Sequence, residues 1–342
     1  MKKRQVFITL AVVVLLVVLA YLQFRSWRHF DWQTFLRLTA EADKLKLLAG
    51  VAFIYAGYIF RAWRWKMFLR PVKDVPLMRL LPPMIIGFTG LAVLGRPGDL
   101  IRPYLVARRE DLRFTSQIAV LAVERVFDMA SVAVFLAADL LFAPSLKQLQ
   151  YFKQFEFAGM ALFAGVIALA LGLFMIWRNS AGAANVVTKI FGGFAPKAAQ
   201  SIAHKIEVFG DGLHTIHNAT SLLQIITASF LIWACISLAY LMVLHAYTDA
   251  TLQTMSFSHV ILLMSASVAG SLLQLPIVGG GTQLGTIGVL RHVFHVDENV
   301  AASCGIMLWL VTFMSVIPLG LLLARQARVS LAKLSEESHR EG

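Results

Sequence analysis

The sequence predicts an all-α polytopic membrane protein, a helical bundle of about six full spans plus two re-entrant hairpins of broken helices. The chain of 342 residues is 58% hydrophobic and only 15% charged, whereas soluble domains are about 45–50% apolar and about 25% charged. Its mean hydropathy is +0.71. Several apolar runs approach the roughly 20 residues that a transmembrane helix needs, and two of them are interrupted by Gly and Pro.

The net charge of +12 does not indicate a nucleic-acid partner, because the basic residues lie in short segments beside apolar runs. Cytoplasmic loops of membrane proteins have this distribution, and there they also face anionic lipid. Cys235 and Cys304 both lie inside apolar runs and match no disulfide framework or zinc spacing. We therefore expect no metal, no cofactor and no nucleic acid.

The first predicted span, Val6–Phe24, follows the basic residues MKKR and is similar to a signal peptide. It is too long for a typical apolar signal core and lacks a small-residue cleavage site, so we interpret it as an uncleaved span. A single transmembrane domain is predicted over residues 1–324 and a short charged cytoplasmic tail over 325–342. The other full spans are predicted at Leu47–Phe60, Ser116–Phe142, Phe157–Trp177, Ser221–His245 and Val300–Ala324.

The two interrupted runs are predicted to re-enter the membrane rather than to cross it. Residues 61–113 hold eleven basic residues against four acidic ones, so both ends of Leu80–Leu94 favour the cytoplasm, as do the chain termini. Acidic residues flank His259–Phe294, which places both of its ends outside. Arg25–Lys46 does not fit this charge rule, and we interpret it as an interfacial amphipathic helix whose apolar residues are Trp32, Phe35, Leu36 and Leu38.

Both interrupted runs contain helix breakers. Leu80–Leu94 carries Pro82 and Pro83 and leads into the motif GRPGD, while His259–Phe294 carries the run GGG. Broken hairpins that enter from opposite faces are typical of inverted-repeat transporters, in which the interrupted segments form the binding site. The two halves show no convincing sequence repeat.

The motif ERVFD places charged residues in the middle of the predicted span Ser116–Phe142. At 1.5 Å per residue, Glu124 lies roughly 12 Å and Asp128 about 18 Å from its start, near the midplane of the bilayer. Positions i and i+4 share one helix face, whereas Arg125 points about 100° away, towards Asp139 or another helix.

Arg96 and Arg102 follow the first interrupted run, and we expect them to pair with Glu124 and Asp128. Two interpretations remain open. The ion pairs either hold the hairpin in place without a substrate role, or they form a functional site, as ionisable groups inside membranes usually do.

The segment LLQLPIVGGGTQ is the second candidate site. Consecutive glycines leave backbone N–H groups accessible, and the helix that follows would direct its N-terminus, a favourable seat for phosphate or carboxylate, into the membrane. The alternative is that the glycines permit close helix packing. The residues in question are Gln274, Gly279, Gly280, Gly281, Thr282 and Gln283.

Arg61, Arg64 and Lys66, in FRAWRWKMF, are interpreted as anchors to lipid headgroups, with Trp63 and Trp65 as the aromatic belt of a span end. No catalytic nucleophile constellation is evident, so enzymatic activity is not expected.

In their order, the motifs RAWRW, GRPGDLIRPYLVARR, ERVFD and LPIVGGG resemble those of the lysylphosphatidylglycerol synthase transmembrane family, also called flippase-like domain proteins. The resemblance spans nearly the whole chain. It implies a helical bundle with re-entrant segments that moves modified or glycan-linked lipids between leaflets. The chain departs from the family before the Pro-containing turn, where Asn is common and this chain reads Thr89-Gly90-Leu91-Ala92. It also departs after the late glycine motif, where a Glu is frequent and this chain has Thr282, Gln283 and Gly285. A soluble aminoacyltransferase domain is missing after Ala324, so lysyl transfer is not expected.

We therefore predict a lipid translocase of the bacterial inner membrane, with membrane lipids as partners. Movement would be passive or ion-coupled, since no ATP motif is present. One alternative is an accessory subunit of a lipid-modifying synthase or glycosyltransferase. Another is a membrane enzyme that uses the same carboxylates as acid and base on lipid headgroups. The predicted binding residues are Arg96, Asp99, Arg102, Glu124, Arg125 and Asp128, together with the residues of the glycine segment.

Overall fold

The computed structural model describes residues 31–142, 152–193, 196, 198–203, 206, 219–271 and 280–326. The predicted span Val6–Phe24 and residues 327–342 of the predicted tail lie outside the described residues. Within these ranges the chain is helical and contains no strand, which confirms the predicted all-helical class.

Most of the described residues lie in α-helices, and two short turns have other helical geometries. Arg96–Leu100 forms a 3-10 turn between the third and fourth helices, and Leu310–Met314 forms a π-helical turn before the last one. In chain order the helices are α1 (Trp32–Glu41), α2 (Lys44–Leu69), α3 (Leu77–Leu94), α4 (Ile101–Glu110), α5 (Phe114–Phe142), α6 (Phe152–Arg178), α7 (Ser180–Phe191), α8 (Ala219–Ala246), α9 (Ala250–Gln253), α10 (Phe257–Ser271), α11 (Gly281–His292), α12 (Glu298–Trp309) and α13 (Ile317–Gln326).

Four helical segments of the described chain are long and apolar enough to cross a membrane, so the protein is a multi-pass membrane protein. Three of them contain the spans predicted at Leu47–Phe60, Ser221–His245 and Val300–Ala324, and the fourth is α3. The predicted spans in α5 and α6 are helical, and these helices are about 43 and 40 Å long at 1.5 Å per residue. They are not among the four segments, and α5 carries several ionisable residues in its middle.

The chain divides into two compact units. The first unit comprises Met1–Ala52, Leu94–Arg96 and Ser237–Ser315, and the second unit comprises Phe53–Val93, Pro97–Ile236 and Val316–Gly342. The prediction of a single domain over residues 1–324 stays a prediction.

In the second unit, α3 and α4 form an antiparallel hairpin. Gly87 of α3 lies against the side chain of Arg102 in α4. At the other end of the hairpin, Lys73 Nζ, just before α3, donates a hydrogen bond to the carbonyl oxygen of Glu110, the last residue of α4 (2.6 Å). The start of α3 and the end of α4 therefore lie close together.

The predicted break within Leu80–Leu94 is wrong, because α3 continues through Pro82 and Pro83. Each proline removes one backbone hydrogen bond, and both losses fall in the second turn, close to the start of the helix. The chain instead breaks at Gly95, whose φ of 69° is the left-handed conformation that commonly ends a helix at glycine.

In the first unit, α10 and α11 form a second antiparallel hairpin. A Cβ atom at Gly270 would lie 2.1 Å from the carbonyl oxygen of Gly281, and one at Gly285 would lie 2.6 Å from that of Ala266. At the opposite end, the rings of His259 and Phe294 lie 5.1 Å apart. The ends of this hairpin are also adjacent.

The first described helix, α1, confirms the helical part of the predicted amphipathic segment. Asp31 caps it by accepting hydrogen bonds from the backbone N–H and the hydroxyl of Thr34. These bonds hold the pKa of the Asp31 carboxyl below its ordinary value. Phe35 is buried, whereas Trp32 and Leu36 are exposed. The position of this helix at the membrane surface stays a prediction.

Candidate functional site

An ionic cluster in the second unit lies where α5 packs against its neighbours. Glu124 and Asp128 are buried on one face of α5, one turn apart, as the i, i+4 spacing predicted. Arg64 of α2 binds both carboxylates. Its Nη2 donates to Glu124 Oε1 (2.9 Å), and its Nη1 donates to Asp128 Oδ1 (2.8 Å) and to Ser229 Oγ of α8 (2.9 Å). One guanidinium thereby joins three helices.

Arg102 of α4 binds Glu124 from the hairpin. Its Nη1 lies 3.1 Å from both carboxylate oxygens of Glu124, and its Nη2 donates to Asp99 Oδ1 (2.9 Å). The second oxygen of Asp99 accepts a hydrogen bond from Arg125 Nη2. Asp99, on the 3-10 turn, thus joins two arginines through its two oxygens. Hydrogen bonds between ionised groups are about twice as strong as neutral ones.

Gly87 creates the space that Arg102 occupies. A Cβ atom at position 87 would lie 1.8 Å from Cγ of Arg102 and 2.9 Å from its Cβ and Cδ. No side chain larger than hydrogen fits there while Arg102 keeps this position. The neighbouring Phe88 presents its ring to two cations, the guanidinium of Arg102 at 4.3 Å and that of Arg61 at 4.8 Å from the ring centroid. Both distances are within the range of cation–π attraction.

Arg61 is the arginine of the cluster with the weakest pairing. Its Nη1 lies 3.6 Å from Glu124 Oε1 and 3.8 Å from Asp128 Oδ2 and makes no hydrogen bond with any described residue. Glu124 Oε1 already accepts hydrogen bonds from Arg64 and Arg102. Both carboxylates near Arg61 are therefore already hydrogen-bonded to other arginines, and Arg61 has only longer-range ion pairs with them.

Counted over the described side chains, the cluster holds one positive charge in excess. Four arginines meet three carboxylates within 4.0 Å, and an arginine side chain is always protonated. An unpaired charge at the centre of a membrane costs about 2.5–3.5 kcal/mol on insertion scales. The members are Arg61, Arg64, Asp99, Arg102, Glu124, Arg125 and Asp128, referred to below as the ionic cluster.

Exposure differs strongly across the ionic cluster. The side chains of Arg64, Arg102 and Glu124 are exposed by 2% or less, whereas Arg125 is 42% and Asp99 is 22% exposed. The guanidinium of Arg102 lies 5.6 Å from the ring centroid of Trp65, which belongs to a buried apolar cluster. The cluster thus has a closed interior and one accessible edge, formed by Arg125 and Asp99.

The structure brings together five of the predicted residues: Asp99, Arg102, Glu124, Arg125 and Asp128. Arg102 pairs with Glu124 as predicted, but Asp128 pairs with Arg64 and, at longer range, with Arg61 and Arg125. Arg125 meets Asp99 rather than Asp139. Arg96 begins the 3-10 turn, and its side chain lies outside the described residues, so its predicted pairing stays a prediction.

The interpretation of Arg61 and Arg64 as headgroup anchors, with Trp65 in the aromatic belt, is wrong. Arg64 and Trp65 are each 1% exposed, and α2 continues past them to Leu69. The signal that identifies the two arginines is their i, i+3 spacing, which matches the i, i+4 carboxylates of another span. Ser229 carries no comparable signal, because serine is common in apolar helices. Lys66 does lie nearer the surface, where it pairs with the exposed Asp74 (3.3 Å).

The glycine segment lies in the first unit. Gly280 precedes α11 without a side-chain cap, and Gly281 packs against Gly270. These contacts confirm close helix packing at Gly281. Gln283 is buried, and its Nε2 has no hydrogen-bond partner among the described residues, while the carbonyl of Thr282 accepts from Thr286. Gln274 and Gly279 lie outside the described residues, and the anion-binding role of the segment stays a prediction.

Within the described ranges, no group of three or more His, Cys, Asp or Glu residues is arranged to hold a metal ion. The ionic cluster offers arginine donors for oxyanions and carboxylate acceptors for ammonium or hydroxyl groups.

Comparison with known proteins identifies the family. A search among curated proteins found no match. The sequence profile of the family described as the lysylphosphatidylglycerol synthase TM region matches residues 6–320, which include the whole ionic cluster and both hairpins. The chain therefore belongs to the lysylphosphatidylglycerol synthase transmembrane family.

Proposed function

We propose that the protein is a lipid translocase of the bacterial inner membrane and that the ionic cluster binds the lipid headgroup during its passage. The observation that carries this proposal is the accessible edge of an otherwise buried set of charges. Ion pairs that serve packing alone need no such edge, whereas a binding site does. Arg125 and Asp99 supply one donor group and one acceptor group there.

Both hairpins support a transporter architecture. Helices α4, α10 and α11 are about 15, 22 and 18 Å long at 1.5 Å per residue, shorter than the roughly 30 Å of a hydrocarbon core. Because the ends of each hairpin are adjacent, each enters and leaves on one side of the membrane. The charge rule places the first hairpin on the cytoplasmic side with both chain termini, and the second on the outer side. Irregular backbone is tolerated at membrane depth where protein or a water-filled cavity surrounds it.

The proposed mechanism is an exchange of partners. A headgroup enters at the Arg125–Asp99 edge and forms ion pairs with members of the cluster, while the acyl chains remain in the bilayer. The cluster replaces hydration of the headgroup by fixed charges, which lowers the barrier to crossing the apolar core. The lipid moves down its gradient or with a coupled ion.

A lipid-scrambling assay tests the proposal. The full chain is reconstituted in vesicles that contain a fluorescent phospholipid, and an impermeant quencher reports how fast the lipid reaches the outer leaflet. We expect scrambling by the wild-type protein, loss in Glu124→Gln, and loss in Arg125→Gln, whose accessible side chain can be changed without emptying the buried interior. Glu41→Gln, an exposed glutamate at the end of α1, is the matched control and should scramble normally.

Other outcomes contradict the proposal. Chemical conversion of the lipid by the purified chain would instead support a membrane enzyme that acts on headgroups. A chain that neither scrambles nor converts lipid, but copurifies with a lipid-modifying synthase or a glycosyltransferase, would support an accessory role.

A further inference from the structure

We infer that Thr89 is a positioning residue of the lipid site: its hydroxyl fixes the hairpin of α3 and α4 against α13 and thereby holds Arg102 in the ionic cluster. This inference rests on the proposed function, because Thr89 acts on the headgroup only through Arg102. Thr89 is 5% exposed and belongs neither to the ionic cluster nor to the glycine segment.

Thr89 lies in a gap that Gly320 of α13 leaves open. A Cβ atom at position 320 would lie 1.7 Å from Oγ1 of Thr89 and 2.6 Å from its Cβ. The hydroxyl donates to the carbonyl oxygen of Ile85 in its own helix (2.9 Å) and also reaches that of Val316, the residue before α13 (3.3 Å). The two helices can therefore approach this closely only with glycine at position 320.

Apolar packing alone does not fix the position of the hairpin on α13. Leu323 and Ala324 of α13 pack against a buried apolar cluster to which both limbs of the hairpin contribute. Hydrophobic contact is non-directional, so a hairpin that slid along α13 would lose little of it. The hydroxyl of Thr89 and the gap at Gly320 fit each other in one register, and they set where the hairpin lies. The cluster residues of the hairpin are Ile86, Ile101 and Leu105.

Thr89 is a close neighbour of the residues that hold Arg102. Gly87, two residues earlier, lies against the side chain of Arg102, and the ring of Phe88 lies 4.3 Å from its guanidinium. Successive helical residues rotate by about 100°, so Gly87 and Thr89 point to nearly opposite sides of α3. Helix α3 is thus held between Arg102 and α13, and a displacement at Thr89 moves the space into which Arg102 fits.

Loss of the hydroxyl should change position more than stability. The carbonyl of Val316 also accepts a hydrogen bond from the backbone N–H of Gly320 (3.0 Å), and that of Ile85 belongs to the hydrogen-bond ladder of α3. Neither carbonyl is left unpaired without the hydroxyl, so the cost of a buried unsatisfied group does not arise. A methyl group cannot lie as close to the two oxygens as the hydroxyl does, and it would move the helices apart.

A distance measurement tests this positioning. Nitroxide labels are attached to Leu100→Cys, on the 3-10 turn at the tip of the hairpin, and to Met129→Cys on α5, both at exposed positions. The full chain also carries Cys235→Ala and Cys304→Ala, and pulsed electron paramagnetic resonance in detergent measures the distance between the labels. Thr89→Val should shift or broaden the distance distribution, whereas Thr89→Ser, which keeps the hydroxyl, should leave it unchanged.

The lipid-scrambling assay measures the functional consequence on unlabelled variants. Thr89→Val should scramble about fivefold more slowly than the wild-type protein, which is the effect of one neutral hydrogen bond. Thr89→Ser should scramble at the wild-type rate. Thr188→Val is the matched control, because the described hydrogen bonds of the Thr188 hydroxyl all stay within its own helix, α7.

Gly320→Ala changes the same contact from the other helix. Its Cβ atom would need the space of Thr89 Oγ1, so this variant should shift the tip distance and slow scrambling as Thr89→Val does. Gly172→Ala is its control, since a Cβ atom there would meet nothing within 4 Å. Melting temperatures are measured for all variants, and Gly320→Ala decides the test if Thr89→Val does not fold.

Three results would overturn the inference. These are an unchanged tip distance in the folded variants, an equal loss of scrambling in Thr89→Ser and Thr89→Val, or unfolding of both Thr89→Val and Gly320→Ala, which would show a purely structural contact. Failure of the proposed function gives a different pattern. A shifted tip distance in Thr89→Val, without scrambling by the wild-type protein, would contradict translocation and keep the placement of the hairpin by Thr89. Equal scrambling by the wild-type protein and Thr89→Val would keep translocation and contradict the inference.

Discussion

At the scale of single residues, the molecule is organised around Arg64. Its guanidinium donates to two carboxylates and one hydroxyl from two other helices, with all distances at or below 2.9 Å. A buried ion pair of this kind is weak evidence for net stability, but removal of one partner leaves a charge buried without compensation. Removal of this residue is therefore expected to weaken the packing of α2, α5 and α8.

Arg64→Gln is expected to destabilise the protein by about 3–5 kcal/mol, the usual cost of breaking a buried pair from one side. The melting temperature of the detergent-solubilised chain, followed by tryptophan fluorescence, measures this. Adding Asp128→Asn should recover part of the loss, because the double variant removes both charges of the pair. An unchanged melting temperature in Arg64→Gln would show that the pair is not formed.

Gly87→Ala is expected to displace Arg102, because the added methyl group would lie 1.8 Å from Cγ of Arg102. Overpacking typically costs about 1–3 kcal/mol, and scrambling should fall together with the melting temperature. Gly165→Ala is the matched control: nothing lies within 4 Å of a Cβ atom there, so it should be neutral or stabilise by up to about 1 kcal/mol. Equal behaviour of the two variants would contradict the steric argument.

The sequence was sufficient to predict part of the ionic cluster. Glu124, Arg125 and Asp128 were predictable because charges are costly inside an apolar run, and Arg102 because they need counter-charges. Arg61 and Arg64 were missed because tryptophans flank them, as they flank span ends at the membrane interface. The predicted span ended at Phe60, whereas α2 ends at Leu69. The nine additional residues of α2 place Arg61 and Arg64 within the helix, rather than at a span end near the membrane surface.

At the scale of elements, the two hairpins show which helix breaks and helix contacts the sequence predicts correctly. Prolines in α3 predicted a break that does not occur, because the losses fall near the helix start, and Gly95 ends the helix instead. The glycines of the second hairpin have a packing role that periodicity does not reveal. Gly285 lies against the backbone of Ala266, whereas nothing lies within 4 Å of a Cβ atom at Gly288.

This contrast within α11 gives a prediction. Gly285→Ala is expected to separate α10 from α11 and lower the melting temperature, because backbone, unlike a flexible side chain, cannot yield to a Cβ atom at 2.6 Å. Gly288→Ala should leave the melting temperature unchanged or raise it, since alanine favours helix by up to about 1 kcal/mol over glycine. The reverse order of the two melting temperatures would show that the helices do not pack as described.

At the scale of the whole molecule, the proposed membrane topology rests on the adjacent ends of the hairpins. The predicted class and the presence of most described spans followed from composition and apolar runs. The number of crossings could not be predicted in the same way, because α3 is long enough to cross, whereas the proposed re-entry depends on α4, which leads the chain back to Lys73. Length and hydropathy describe each helix alone, whereas re-entry depends on the partner that leads the chain back.

Cysteine labelling of intact cells tests the first hairpin. Asp74→Cys and Asp111→Cys place exposed thiols before α3 and after α4. Both should resist an impermeant maleimide until the membrane is opened. The native Cys235 and Cys304 are buried and should contribute little background. Labelling of one introduced thiol but not the other in intact cells would show that the segment crosses.

The second hairpin should give the opposite pattern. Thr251→Cys and Glu298→Cys, at exposed positions before α10 and after α11, should both react in intact cells. Protection of either thiol would contradict entry from the outer face.

The space at Gly87 has an evolutionary consequence. Because the side chain of Arg102 fills the volume that a β-carbon at position 87 would need, the two positions cannot vary independently. Among chains that share this fold, substitution of the glycine is expected to be accompanied by a shorter residue in place of the arginine, and the loss of that arginine relaxes the constraint on the glycine. Covariation between positions 87 and 102 in an alignment of the family would therefore identify the members that share the ionic cluster, without reference to its carboxylates.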